Sequence, residues 1–114
     1  MEDTANTDIA QKDPKLIRQK LNQDTARIRW SALHEHQQKE LVITVSTDLD
    51  LIEVACQFTL DNSVQVKAWM DQSQVQRVDD SQADDWKAED RELWAVVVVP
   101  WVLVQEPKPG TAAN

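Results

Sequence analysis

An uncharged run near the end of the chain constrains the fold more than any other feature of the sequence. Residues 93–104 are apolar throughout, with Pro100 as the one interruption. A strand that is apolar on both faces belongs to a sheet covered on both sides. The run is shorter than the roughly 18 residues of a membrane-spanning helix. Pro100 has no amide hydrogen, so we expect a bulge or a change of pairing partner before the strand resumes over residues 101–105.

The rest of the chain carries helical patterns with recognisable starts. Asp13 before Pro14 is typical of an N-cap followed by a first-turn proline, and predicts a helix from 14 to a break near 29. A short second helix over about 31–39 would then turn Leu33 to the core. Hydrophobic spacing and capping residues predict further helices over 48–60, 62–72 and 81–91, and strands over 41–45 and 74–78. The predicted order is α-α-β-α-α-β-α-β, an α+β domain with about three strands covered by helices and the last strand central.

The predicted helix over 48–60 has one narrow polar stripe on an otherwise apolar surface, formed by Asp50, Glu53, Gln57 and Asp61. Carboxylates spaced in this way could bind a divalent cation or share a proton, which would make the protein an enzyme or a metal binder. The simpler interpretation is that the stripe is the solvent side of a mostly buried helix. His34 and His36 diverge by 200° on a helix and do not complete a metal site. We therefore expect no metal and no cofactor, and we rank an enzyme that uses this stripe as the third option, behind an interaction module and a nucleic-acid-binding protein.

The charge is acidic overall and basic locally. Twelve Lys and Arg against twenty Asp and Glu give a net charge of −8, yet half of the basic residues lie between 14 and 40. The basic first helix, with Trp30 beside it, or the helix-turn-helix-like pair 48–60 and 62–72 could bind nucleic acid. A negative protein repels nucleic acid at long range, so we favour packing of the basic helix onto its own acidic body. The basic residues of the predicted first helix are Lys15, Arg18, Lys20, Arg27 and Arg29.

Glycine and cysteine usage limits the function and the compartment. Gly110 is the only glycine, which excludes Gly-rich phosphate loops and the dinucleotide fingerprint. The single Cys56 lies in an apolar run and suits a reducing compartment such as the cytoplasm. The acidic start lacks the pattern of a secretory signal. We expect disordered tails over 1–13 and 106–114 around one folded domain, 14–105.

Tryptophan is the most unusual part of the composition, with five Trp beside one Phe and no Tyr. Trp30 and Trp101 stand next to a predicted break and next to Pro100, where an indole serves either the core or an interface. With Gln105 they are the candidate interaction residues. By elimination we expect an interaction or regulatory module that binds a protein partner or self-associates, through a sheet edge or through the segment 100–105.

A spaced set of residues resembles a known family. The set comprises Trp30-x-x-Leu33, Leu49-Asp50-Leu51-x-Glu53-Val54-Ala55, Asp61, Val66-x-x-Trp69, Trp86 and Pro100-Trp101-Val102-Leu103-Val104-Gln105. It is similar to short bacterial proteins grouped as domain of unknown function 2288, over about residues 16–105. The resemblance implies a cytoplasmic bacterial protein and assigns no activity. Where such proteins often carry Gly before the first strand, this chain has Lys39-Glu40, so we expect the turn to differ there.

Overall fold

A computed structural model of the chain describes residues 13–107. The predicted disorder of residues 1–12 and 108–114 lies outside these residues. The helices are α1 (Pro14–Asp24), α2 (His34–Gln38), α3 (Leu51–Thr59), α4 (Ser63–Asp71) and α5 (Asp80–Glu89), with a 3₁₀ helix over Trp30–Leu33. The strands are β1 (Ala26–Arg29), β2 (Val42–Val45), β3 (Val75–Arg77), β4 (Glu92–Val98) and β5 (Trp101–Gln105). In this part of the chain no helix is long and apolar enough to cross a membrane.

The five strands form one mixed sheet in the order β1-β4-β5-β2-β3. Neighbouring strands are antiparallel except β2 and β5, which run parallel. The predicted α+β class and the central last strand are confirmed. The sheet has five strands rather than about three, because residues 93–105 form two strands and because residues 26–29, predicted as helix, form a strand.

The first helix is shorter than the sequence predicted. Its start is confirmed, since the Asp13 side chain accepts a hydrogen bond from the amide of Lys15 at 3.0 Å and Pro14 occupies the first turn. It ends at Asp24, and the next four residues pair with β4 as β1. Ile28, which shares the helical phase of Ile17 and Leu21, packs instead on the opposite face of the sheet. The prediction of a helix that continues to residue 29 was therefore wrong.

Helices cover both faces of the sheet. The first core lies beneath α1, α3 and α4, and its buried residues are Ile17, Leu21, Ile43, Val45, Leu51, Val54, Ala55, Cys56, Val75, Val96 and Leu103. The second lies beneath the 3₁₀ helix and α5, and its buried residues are Trp30, Leu33, Val42, Val78, Trp86, Leu93, Ala95, Val102 and Val104. Alternate residues of β4 and β5 enter opposite cores, which explains why both strands are apolar on both faces.

Two predicted helix starts differ because another residue provides the cap. Helix α3 begins at Leu51, because Asp50 itself accepts from the amide of Ile52 at 2.9 Å. Helix α5 begins at Asp80, because Asp79 and not Ser81 is its cap. Both changes have the same cause: an aspartate carboxylate is at least as good an N-cap as the hydroxyl of a nearby Ser or Thr.

The turn between α2 and β2 is left-handed. Glu40 has φ of 59°, a region that favours glycine because a Cβ atom is crowded there. Its amide donates to the carbonyl of Gln37 at 2.9 Å. The Lys39-Glu40 departure from the resembled family is thus accommodated with a residue that is less suited to the geometry than glycine.

Candidate interaction surface

The polar stripe of α3 is taken up by internal hydrogen bonds. The Arg18 guanidinium of α1 lies over Glu53, with Nη2 at 2.6 Å and Nε at 2.9 Å from Oε1. The other carboxylate oxygen accepts from Gln57 at 2.7 Å, and Gln57 Oε1 accepts from Asn62 at 2.8 Å. The hydrogen bond from Gln57, followed by those from Arg18, lowers the pKa of Glu53 below its ordinary value, despite partial desolvation. This series of hydrogen bonds, from Arg18 through Glu53 and Gln57 to Asn62, links α1 to α3 and to the start of α4.

The two remaining members of the stripe have local backbone roles. Asp50 caps α3, and Asp61 occupies a left-handed turn position with φ of 56° between α3 and α4. Among residues 13–107 no three His, Cys, Asp or Glu side chains are grouped so that they could hold a metal ion. Within the stripe, Arg18 partly covers Glu53, whereas Asp50 and Asp61 are exposed, and the side-chain hydrogen bonds of Glu53 and Gln57 connect neighbouring helices.

Two of the three candidate interaction residues lie inside the protein. Trp30 is 4% exposed and packs edge to face against Trp86, with ring centroids 5.3 Å apart. Gln105 is buried, and its amide donates to the carbonyls of Ser46 at 2.8 Å and Leu49 at 2.7 Å. These two donations satisfy the backbone of the loop that leads into α3. The structure thus gives Trp30 and Gln105 roles in the core and in loop support.

Trp101 differs from the other two because it lies at the rim of the first core. Its ring is half-buried, and the guanidinium of Arg77 lies 5.5 Å from the ring centroid. It pairs with Val98 across the turn formed by Val99 and Pro100. Pro100 therefore lies in the turn that reverses the chain between β4 and β5. The predicted change of pairing partner is confirmed, since β1 pairs with the strand before Pro100 and β2 with the strand after it. Beyond this turn, β5 pairs with β4 over residues 101–105 and with β2 over residues 102–104, so its centre is paired on both sides.

The outer side of β4 is only partly covered. Strand β1 pairs with residues 92–95 of β4 and with none beyond them, because α1 ends just before Ala26. No strand in the described part of the chain pairs with the outer side of residues 96–98. Two side chains there are unusually exposed for valine, Val97 at 57% and Val99 at 85%. We call residues 96–99 with this unpaired backbone the free edge.

The free edge lacks the charges that guard the other edges of the sheet. The outermost strands β1 and β3 carry Arg27, Arg29 and Arg77. Natural sheets use such charges to block unwanted pairing with another chain. Residues 93–105 hold no charged side chain at all, in a chain with 28% charged residues. An apolar, unguarded and partly unpaired strand is the geometry that accepts an added strand.

A shallow cleft of about 460 Å³ lies at the end of α5, lined by Gln82, Asp85, Trp86, Ala88, Glu89, Arg91 and Glu106. Arg91 already contacts Glu89 at 2.7 Å and Glu106 at 3.5 Å, and the Trp86 indole donates to Glu106 at 2.7 Å. Arg91, Glu89, Glu106 and the Trp86 indole of the cleft are thus engaged with one another. Neither Asp50 nor Glu53, the acids that an enzyme hypothesis would use, lines it.

Comparison with known proteins places the chain in a family. A family described as "Protein of unknown function (DUF2288)" matches residues 16–106. The chain belongs to this family, as the resemblance implied. The solution structure of PA1075 from Pseudomonas aeruginosa, determined by NMR, is similar at a TM-score of 0.71 and 36% sequence identity. The similarity covers 77% of this chain and 82% of that one. No curated protein matches the sequence.

Val97 and Val99 are not among the interaction residues predicted from the sequence. A run of four valines is typical of a strand buried on both faces, and nothing in the run itself distinguishes its exposed end from its buried one. The available signal was the alternation of Arg27, Ile28 and Arg29, which fits a short strand as well as a helix. With β1 placed there, the end of β4 is left without a neighbour.

Proposed function

We propose that the protein is a small interaction module that self-associates through the free edge. The observation that supports this is the unpaired outer side of residues 96–98, where Val97 is 57% exposed, followed by Val99 of the turn, which is 85% exposed. Pairing with an added strand would satisfy the backbone and remove these side chains from water, each worth about 1.5–3 kcal/mol when fully buried. The sheet-edge form of self-association suits this geometry, whereas the segment 100–105 lies within the sheet.

The contacts of the basic residues argue against nucleic-acid binding. Arg18 pairs with Glu53, Lys20 with Asp24, Arg27 with Glu92 and Arg29 with Asp90. Four of the five basic residues in the predicted patch thus contact carboxylates of their own chain, and Trp30 is buried. Phosphate binding depends on Lys and Arg that can neutralise the backbone of the nucleic acid. We therefore propose a protein partner and no nucleic acid.

We further propose a bacterial, cytoplasmic protein. The structural relative at 36% identity is from Pseudomonas aeruginosa. The only cysteine, Cys56, is buried, and burial raises the pKa of its thiol, which keeps it unreactive in a reducing compartment.

Sedimentation equilibrium of the full chain tests the proposed self-association. We expect the wild type to approach twice its 13.1 kDa mass at high concentration. Val99→Lys should shift the equilibrium to the monomer, because the lysine places a charge in the interface. Val64→Lys is the matched control: Val64 is 81% exposed, close to the 85% of Val99, but lies on α4. A monomeric wild type at all concentrations, or equal effects of the two substitutions, would refute the proposal.

A further inference from the structure

Helix α4 is the least buried of the longer helices. None of its nine residues is buried, whereas α1 buries two residues, α3 buries four and α5 buries one. The partly buried side chains of α4 are Gln65, Val66 and Trp69. Because a helix in a protein is stabilised mainly by the packing of its apolar face, α4 gains less from the rest of the fold than the other helices do.

The side chains of α4 make few connections to other elements. Its one ion pair in the described part of the chain joins Lys67 to Asp71 at 3.5 Å and is internal to the helix. The N-cap Asn62 precedes the helix, and its Nδ2 donates to Gln57 of α3 at 2.8 Å. Trp69 is the apolar side chain of α4 that packs against the first core. The helix is therefore attached to the body of the protein mainly by the packing of Trp69.

Helices α3 and α4 end in the same kind of turn. In each turn the residue after the C-cap is left-handed without being glycine, with φ of 56° at Asp61 and 59° at Ser73. The amide of the following residue donates back into the helix, from Asn62 into α3 at 3.0 Å and from Gln74 to Trp69 of α4 at 2.9 Å. The hydrogen bonds that hold Ser73 left-handed thus belong to α4, and those that hold Asp61 belong to α3.

The chain on either side of α4 has contacts of its own. After the helix, the carbonyl of Gln74 accepts from the amide of Ser46 at 2.8 Å, and the fully buried Val75 pairs with Val45 of β2. Before the helix, α3 is held by its four buried residues. Neither flank depends on α4 for its own hydrogen bonds. Proteins open locally in units that are bounded in this way.

We propose that α4 is a separate opening unit, which unfolds locally between Asn62 and Gln74 while α3, the sheet and the rest of the fold stay intact. Local unfolding breaks the turn at Ser73 and relieves its left-handed backbone, which favours the open state. The opened segment uncovers the sides of α3 and β3 on which α4 packs. Helix α4 is thus a conformational device that controls access to this part of the first core. The inference is independent of the proposed self-association, since α4 is not part of the free edge.

Native-state hydrogen exchange of the full chain, followed by NMR, tests this opening. We expect the amides of residues 67–72 to share one opening constant, about a hundredfold or more above that of the β4 and β5 amides, because a local unit opens at a lower free energy than the whole fold. Ser73→Gly should lower the opening constant of α4 about two- to fivefold, since the left-handed cost at Ser73 exceeds the entropy that glycine adds to the open state.

Asp61→Gly is the matched control, because Asp61 is also left-handed but lies in the turn that α3 keeps when α4 opens. It should leave the opening constant of α4 unchanged. Opening constants in wild-type α4 equal to those of β4 and β5 would overturn the proposal. So would a Ser73→Gly effect that is absent from α4 or equally large in the sheet, because α4 would then not release Ser73 on its own. Equal effects of the two glycine variants on α4 would also contradict it.

Discussion

Replacing Glu40 by glycine tests how a chain with so little glycine forms its turns. Glu40 has φ of 59° and follows Lys39, the C-cap of α2. The left-handed conformation costs a residue with a Cβ atom about 1–2 kcal/mol, whereas glycine loses about 0.5–1 kcal/mol through its extra freedom in the unfolded chain. The difference predicts that Glu40→Gly stabilises the protein by about 0.5–1 kcal/mol. For a domain of this size that corresponds to a rise in Tm of about 2–8 °C.

Thermal unfolding followed by circular dichroism measures the effect, and the neighbouring residue provides the control. Lys39 has φ of −90° and ψ of 3°, a conformation that any residue adopts without this strain. Lys39→Gly should therefore lower the Tm, because it increases the conformational entropy of the unfolded chain and relieves no backbone strain in the folded one. If Glu40→Gly lowers the Tm as Lys39→Gly does, the reasoning from backbone strain is wrong.

Asp90 provides a second comparison, since it is also left-handed, with φ of 45°. Its carboxylate accepts from the amide of Ser31 at 2.9 Å and pairs with Arg29, and the Ser31 bond is the main cause of its lowered pKa. Asp90→Gly relieves the backbone and also removes these contacts. We expect its Tm to stay below that of Glu40→Gly, and an equal rise for both variants would show that the Asp90 contacts contribute nothing.

Two further substitutions test the roles given to buried and bridging polar groups. Gln105→Leu removes the side-chain donor of the Leu49 carbonyl and one of the two donors of the Ser46 carbonyl, which keeps the amide of Leu49. It should cost about 1–3 kcal/mol in urea unfolding, with no change in sedimentation; a change in association instead would make Gln105 an interface residue. Because the pKa of Glu53 is lowered from 4.5, its stabilising effect is present above that pH and is lost as the pH falls further. In Glu53→Gln the free energy of unfolding should therefore fall less steeply as the pH is lowered below 4.5. If urea unfolding shows the same fall in both proteins, Glu53 does not have this role.

The sequence was most informative where one local pattern decides the structure. Asp13 and Pro14 start α1 as predicted, because the cap and the first-turn proline act within a few residues. The apolar surface of α3 predicted its central position, and Val54, Ala55 and Cys56 are fully buried. These features depend on contacts that each element makes through its own periodicity, so a single sequence is sufficient to place them.

Strand β1 could not be placed in this way. Ile28 continues the helical spacing of Ile17 and Leu21, and four residues are too few for strand alternation to decide against a helix. What decides is the pairing of Ala26–Arg29 with Glu92–Ala95 of β4, more than sixty positions away. A similar long-range contact buries Trp30, whose partner Trp86 is on α5. The alternation of Arg27, Ile28 and Arg29 fits a strand and a helix equally, and the contact of Trp30 with Trp86 has no signal in the local spacing.

The candidate surface therefore depends on a topological detail rather than on a motif. The free edge exists because β1 is three residues shorter than β4. The exposed valines indicate a binding surface only because this difference leaves the strand beside them unpaired. Folding does not require valine at position 99, where 85% of the residue is in water. A lysine there should leave the Tm close to that of the wild type, since surface substitutions away from special features usually change stability by less than about 0.5 kcal/mol. Loss of association without loss of stability in Val99→Lys would separate binding from folding at this residue, whereas a large fall in Tm would mean that Val99 supports the hairpin itself.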